Sequence, residues 1–260
     1  MTVLAYASKQ RSVRDSVSDD EWQRRVGLAA LYRILDLYDM TDLIYNHITA
    51  RVPGEPGHIL LNPYGLLYSE VTASSLFKID LDGNVILKPD SDYGLNDAAY
   101  VIHSAVHSAR HDLECVIHTH TKAAVAVSAM QCGLLPISQQ ALTFNGCLSY
   151  HDYEGPAFDL GERERLAHNL GNNNTMILRN HGALAGGRSL IEAFLNMYLL
   201  ESACSIQVAA MAGGNALTMA SNEAISRTRE IVKSTRGSGN SLEWNALLRK
   251  VEKADPSYKD

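Results

Sequence analysis

No stretch of this chain approaches the ~20 consecutive apolar residues that a membrane span requires, so no helical membrane protein is expected. A secretory leader is not expected either, because Met1 to Asp20 mixes charges and serines without a continuous apolar core. Cysteine is scarce. The four thiols, Cys115, Cys132, Cys147 and Cys204, show no CxxC pairing, which argues against a zinc ribbon or a disulfide frame. They read as reduced core thiols, at least three in apolar settings, of a cytoplasmic protein. Positive charge is short as well: 23 Lys and Arg against 29 Asp and Glu leave a net charge of −6, with no basic stripe interleaved with aromatics. A nucleic-acid partner is therefore not expected.

What is present is an ordinary globular composition. The 260 residues are 46% hydrophobic and 20% charged, enough for one large α/β domain with a sizeable core. Residues 1–20 read as a flexible arm. Asp19 or Asp20 is expected to cap a helix carrying Leu28, Leu31, Ile34, Leu35 and Tyr38 at helical spacing. His47–Val52, His58–Asn62 and two short strands between Ser75 and Lys88 form a β-rich block, with turns at Pro53–Gly57 and Asp80–Asn84. A helix from Asn96 to Arg110, capped by Asn96 or Asp97, puts His103 and His107 one turn apart on one face. An apolar helix over Ala123–Cys132, mixed loop and strand from Leu134 to Tyr153, and a charged, exposed helix over Gly161–Leu170 follow. A long helix is expected over Leu190–Ala212, then two tail helices, Glu223–Lys233 and Ser241–Lys253, separated by a mobile run at Arg236–Asn240. Strands alternating with covering helices indicate α/β layers. The expected division is an arm (1–20), a single domain (21–214) and a helical tail (215–260).

The segments richest in chemistry end two apolar strands. Glu114 to His120 reads as a strand whose His118 and His120, two residues apart, point to the same face. Thr175 to Gly182 ends in Asn180-His181-Gly182, where glycine permits close backbone approach. Three imidazoles delivered by two strands make an open tripod suited to zinc or another divalent first-row metal. Taken singly, each reads equally well as a buried, hydrogen-bonded core histidine. His103 is a candidate fourth ligand, an orienting donor, or a core histidine bonded to a carbonyl. His107 and His111 read as surface or interface residues. Proton-transfer candidates near such a site are Tyr100, Tyr150, Asp152, Tyr153 and Glu201, with Glu192 and Glu201 equally readable as solvated helix residues. Gly186-Gly187 lacks the Lys-Ser/Thr of a phosphate loop.

The run from His103 through His111-Asp112-Leu113-Glu114-Cys115-Val116-Ile117-His118-Thr119-His120, then Ala126 to Ser138, Tyr150-His151-Asp152-Tyr153-Glu154-Gly155 and Leu178-Arg179-Asn180-His181-Gly182, resembles the class II aldolase/adducin family. The resemblance spans Glu21 to Gly214, and in detail it is similar to the adducin head-domain branch. It implies a three-layer α/β/α fold around a central mixed, mostly antiparallel sheet. It also implies a divalent ion, most often Zn2+ with Fe2+ or Mn2+ as alternatives, on His118, His120 and His181. Such an ion polarises a carbonyl and stabilises an enediolate. Four-fold tetramers are implied too.

Departures from the family pattern redirect the expectation. The acidic residue that family aldolases carry four positions before the helix histidine is Ala99 here. Asp97 lies two residues earlier, about 200° around the helix, whereas His103 shares the face of Ala99. Phosphate-binding segments have become Tyr45-Asn46-His47-Ile48-Thr49, Asn62-Pro63-Tyr64-Gly65 and Asp97-Ala98. The expectation is lyase chemistry on a small, unphosphorylated hydroxy-carbonyl or carboxylate substrate, with His103 and Tyr153 as catalytic candidates. The alternatives are a non-catalytic adducin-like scaffold of cytoskeletal type and an iron-dependent oxidative decarboxylase.

Overall fold

A computed structural model describes residues 12–89, 91–95, 97–155, 161–235 and 242–260. Most of the N-terminal arm, the Asn96 cap and the run at 236–240 lie outside the described residues. Helix α1 (Asp19–Leu37) is capped by Ser18, one residue before the expected caps, whose hydroxyl accepts from the Glu21 N–H at 3.2 Å. Its Leu28, Leu31, Ile34 and Leu35 are buried, as its spacing requires.

Eight strands follow among the described residues: β1 (His47–Val52), β2 (Glu55–Leu61), β3 (Phe77–Asp80), β4 (Val85–Leu87), β5 (Cys115–Thr119), β6 (Leu148–His151), β7 (Thr175–Leu178) and β8 (Gly182–Gly187). They form one sheet in the order β4-β3-β2-β1-β5-β8-β7-β6. Only β6 and β7 pair in parallel, so the sheet is mixed and mostly antiparallel.

Helices cover both faces: α1, α3 (Lys122–Ser128) and α6 (Leu190–Met211) on one, α2 (Asp97–Ala109) and α5 (Glu162–Leu170) on the other. This is the expected three-layer α/β/α fold. Strand alternation sorts the residues between the layers. Ile48, Ala50, Cys115, Ile117, Ala183 and Ala185 face the α1/α6 core, while Val116, Met176, Leu178 and Leu184 join Val101, Ile102 and Val106 under α2. On β1 the residues of the α2 face are His47, Thr49 and Arg51, all buried. This polar row runs between the α2/α5 cluster and a smaller one built from Ile59, Leu61, Phe77 and Ile79.

Several expectations are corrected. The helix drawn to Cys132 ends at Ser128, and a short helix α4 (Gln139–Leu142) precedes β6. Helix α5 is not merely an exposed charged helix, because Glu162, Leu166 and Leu170 are buried. Strand β2 begins at Glu55, inside the expected turn. Cys115 and Cys204 are buried, but Cys132 is exposed and Cys147 half-buried. In the tail, α7 (Asn222–Thr235) is largely exposed, whereas α8 (Leu242–Ala254) and the terminal turn place Leu247, Val251 and Tyr258 in the main core. The Arg33 guanidinium pairs with Asp255 at 2.9 Å, and the Ala73 N–H donates to the Tyr258 carbonyl at 2.9 Å.

Candidate metal centre

The register of β5 against β8 builds the site. His118 pairs with Leu184 and Thr119 with Ala183, so the β7–β8 turn reaches the end of β5 where His120 emerges. Asn180 takes a left-handed conformation (φ 56°), and the His181 N–H donates to the Leu178 carbonyl at 3.1 Å. Asparagine tolerates that conformation better than most residues. Gly182 is required by space: an added Cβ would lie 2.3 Å from the Thr119 carbonyl oxygen and 3.2 Å from the His120 ring.

The three rings then converge. His118 Nε2 lies 2.9 Å from His120 Nε2, which lies 3.1 Å from His181 Nε2. All three donor atoms fall within 4.8 Å of one another. These separations are close to the ~3.3 Å edge of a tetrahedron with metal–nitrogen bonds of about 2.0–2.1 Å. Two rings have their tautomers fixed from behind. His118 Nδ1–H donates to the Ala183 carbonyl at 3.0 Å, and His120 Nδ1–H to Asp42 Oδ2 at 3.1 Å. Each therefore turns an Nε2 lone pair toward the shared point, as a metal ligand must. Burial, then the neighbouring His181, His47 and His120, push His118 well below the usual histidine range. Burial and His120 lower His181 to about 4. Near neutral pH both rings are uncharged, the form that binds metal. The donor set, its tautomers and its spacing fit a divalent ion.

The remaining sequence candidates separate. His103 is fully buried and does not reach the three nitrogens. Its Nε2 is 2.7 Å from His47 Nδ1 and its Nδ1 is 2.6 Å from Thr49 Oγ1. His107 is not a surface residue as expected: it is fully buried, with Nε2 2.8 Å from Thr49 Oγ1. The sequence offers no sign of this, because the polar residues on α2 meet a polar row rather than solvent. His111 is exposed. Tyr153 is 53% exposed with its ring centroid 6.2 Å from that of His181. Together with Asp152, Met130, Arg179 and Asn180 it lines a cavity of about 540 Å³.

Tyr150 instead holds the fold, its hydroxyl accepting from the Leu134 N–H at 2.9 Å and its ring lying under the Arg179 guanidinium. Tyr100 packs against the Arg163 guanidinium. Glu201 accepts hydrogen bonds from Thr121 and Ser205, and burial raises its carboxyl pKa. Thr121 follows His120 directly, so Glu201 braces the start of α3. Glu192 takes the Arg188 N–H at 3.1 Å. Gly187 makes room for α6, since its added Cβ would lie 2.2 Å from the Ala193 nitrogen.

Sequence reasoning missed Asp42 and His47. Asp42 lies in a loop 78 residues from its histidine, a pairing that no local pattern encodes. His47 left a signal: polar residues at 47, 49 and 51 of a strand with apolar residues between them mark a face that meets polar partners. Its Cα is the β1 partner of His118 on β5, and the two ring centroids are 5.0 Å apart.

The comparisons agree with this geometry. A family model described as "Class II Aldolase and Adducin N-terminal domain" matches residues 26–208. A crystal structure of an aldolase II superfamily protein from Pseudomonas syringae is 50% identical with a TM-score of 0.91, covering 96% of this chain and all of that one. Alpha-adducin of Mus musculus is 48% identical over 201 residues, which are 76% of this chain and 27% of the adducin. L-fuculose 1-phosphate aldolase from Glaciozyma antarctica, 22% identical, shares the fold with a TM-score of 0.80, covering 92% of this chain and 93% of that one. The chain thus belongs to the class II aldolase and adducin N-terminal domain family.

Proposed function

We propose that this protein is a metal-dependent enzyme that carries out lyase chemistry on a small, unphosphorylated hydroxy-carbonyl or carboxylate substrate. The observation that carries the reading is the convergence of three histidine Nε2 atoms at separations of 2.9 and 3.1 Å, two of the rings hydrogen-bonded from behind by Ala183 and Asp42. His118, His120 and His181 would hold a divalent ion, with Zn2+ preferred over Fe2+ or Mn2+. When bound, such an ion supplies positive charge beside a ligand oxygen. Tyr153, exposed and with its ring centroid 6.2 Å from that of His181, would exchange a proton with a ligand bound there. His103 acts only through other residues, since both its ring nitrogens are engaged inside the protein. The protein works in the cytoplasm as a homo-oligomer, a tetramer by analogy with the family.

A second reading, a binding or scaffold protein without catalysis, is favoured by Ala99 and by the 48% identity to alpha-adducin. Metal analysis separates the two. Protein purified without added metal should carry close to one divalent ion per chain, and a His118→Ala/His120→Ala variant should carry none. A metal-free unmutated protein sinks the enzyme reading. A retro-aldol screen on free sugars and sugar phosphates then tests the substrate class, with activity expected only on the unphosphorylated set.

A further inference from the structure

Arg179 precedes Asn180 and His181 on the turn between β7 and β8, and the proposed metal ligands leave it unused. Its guanidinium is half-buried and held from two sides. The Tyr150 ring centroid lies 4.3 Å from Cζ, and the Tyr150 hydroxyl is itself pinned by the Leu134 N–H at 2.9 Å. On the other side Nη1 donates at 2.8 Å to the carbonyl of Met130, just past the end of α3. A guanidinium offers five N–H groups, and this contact uses one. Neither Nε nor Nη2 has a hydrogen-bond partner among the described residues, and neither is buried. The charge is also uncompensated. Arg165 takes Glu154, with Nε 2.9 Å from Oε1, and Arg188 takes Glu192 at 3.3 Å, but Arg179 forms no ion pair among the described residues.

Bracing α3 does not account for this side chain. Closing the Met130 carbonyl takes one donor near a helix C-terminus, which a lysine also supplies. The planar fork exceeds that role. Nε–H and the neighbouring Nη2–H lie parallel on the free edge of the group, the arrangement that matches the two oxygens of a carboxylate. The stack on Tyr150 and the bond to Met130 fix the plane in advance, so little ordering is left for a ligand to impose. Arg179 lines the cavity of about 540 Å³ with Asp152, Tyr153, Asn180 and Ser128, and it is the one cation among the described residues there. Tyr153 belongs to this wall and also to the surroundings of His181, its ring centroid 6.2 Å from that of the imidazole.

We propose that this cavity binds a hydroxy acid, with the Nε/Nη2 edge of Arg179 taking both carboxylate oxygens and Asp152 accepting from the hydroxyl. The inference rests on the proposed function only in making that acid the substrate. It selects a carboxylate within the hydroxy-carbonyl or carboxylate class. One free guanidinium edge balances one negative charge. Asp152 and the C-terminal end of α3 add negative charge to the same wall, which disfavours the second charge of a phosphate. Asp152 also disfavours a carboxylate that brings no hydroxyl, because its oxygens then face an anion with no donor between them.

The test follows the Arg179 Nε–H signal of the full-length, zinc-loaded protein by 15N NMR, the signal being identified by its loss in Arg179→Lys. Glycolate, the probe hydroxy acid, should move it, and ethylene glycol, the uncharged analogue, should not. Arg179→Lys keeps a cation and a donor for Met130 but loses the fork. It should weaken glycolate binding about 10–100-fold, as loss of a charged two-bond contact does, at unchanged zinc content and melting temperature. Full affinity in Arg179→Lys overturns the site, since a residue that only braces α3 gives that result. A signal that ignores glycolate, or moves equally with ethylene glycol, overturns it too. Inorganic phosphate moving the signal at lower concentration than glycolate overturns the assignment to a carboxylate. Protein that takes up no zinc is titrated as purified, and a signal that glycolate still moves there overturns only the metal-dependent reaction.

Discussion

Lowering the pH from 7 to 5 should remove about 2 kcal/mol of folding stability through His107 alone. The ring is fully buried, it faces Thr49 and the Arg51 guanidinium, and His103 stands on the far side of Thr49. Burial first, then Arg51, lowers its pKa from 6.5 to about 3. The unfolded chain therefore takes up a proton on acidification that the folded chain refuses. A depressed histidine pKa gives stability that is complete above the unfolded value and declines as pH falls from 6.5 toward 3. The limiting slope is about 1.4 kcal/mol per pH unit for one proton. At pH 5 the unfolded histidine is almost fully protonated and the native one almost fully neutral, which gives the figure above. His103, also held well below 6.5 by burial, adds in the same direction. The assay is urea unfolding of chelator-treated protein at pH 7, 6 and 5, comparing the unmutated chain with His107→Leu. Carboxylates common to both chains cancel in the difference. The His107→Leu variant should lose less stability across this range, by about 2 kcal/mol. Parallel curves would refute the placement of a neutral, buried imidazole beside Arg51.

Three other outcomes follow from the same contacts. Asp42→Asn keeps the loop but weakens the hydrogen-bond acceptor behind His120 Nδ1, so metal affinity in a competitive chelator titration should fall about 10–100-fold with the melting temperature nearly unchanged. Gly182→Ala forces β8 away from the Thr119 carbonyl, so calorimetry should show a destabilisation of about 1–3 kcal/mol together with loss of stoichiometric metal. Tyr258→Ala removes a ring that is 3% exposed from the packing of the terminal turn on α1, so the urea midpoint should drop by the equivalent of about 3 kcal/mol while metal content holds.

The tripod was legible because its information is local. Period-two spacing put His118 and His120 on one face, and the glycine after His181 announced the close approach that the turn requires. The layers were legible for the same reason, since alternation and helical spacing describe faces. What the chain did not disclose is what each face meets. Position 107 looks like a solvent position, because a polar residue on an amphipathic helix is normally wet, and only the β1 row makes it an interior one. The capping serine at 18 was overlooked beside two aspartates that compete for the same role. Helix α3 is shorter than its apolar run, which continues past Ser128 into a turn where side chains still pack, and periodicity cannot separate those two uses. Asp42 needed the tertiary structure outright.

The proposed metal ligands and the positions that depart from the family pattern lie on different elements, so one set can persist while the other changes. The positions of His118, His120 and His181 follow from the β5–β8 register, the Ala183 carbonyl and the space at Gly182, all of them backbone properties. Substitution elsewhere leaves them in place. The positions that depart from the family pattern lie instead on α2, at the start of β1 and in a loop: Ala99 on the helix, and the segments at 45–49 and 62–65. Helix α2 is tied to the sheet through His103 and His107 on Thr49. An Ala99→Glu variant is therefore expected to keep the metal content of the unmutated protein, which metal analysis checks.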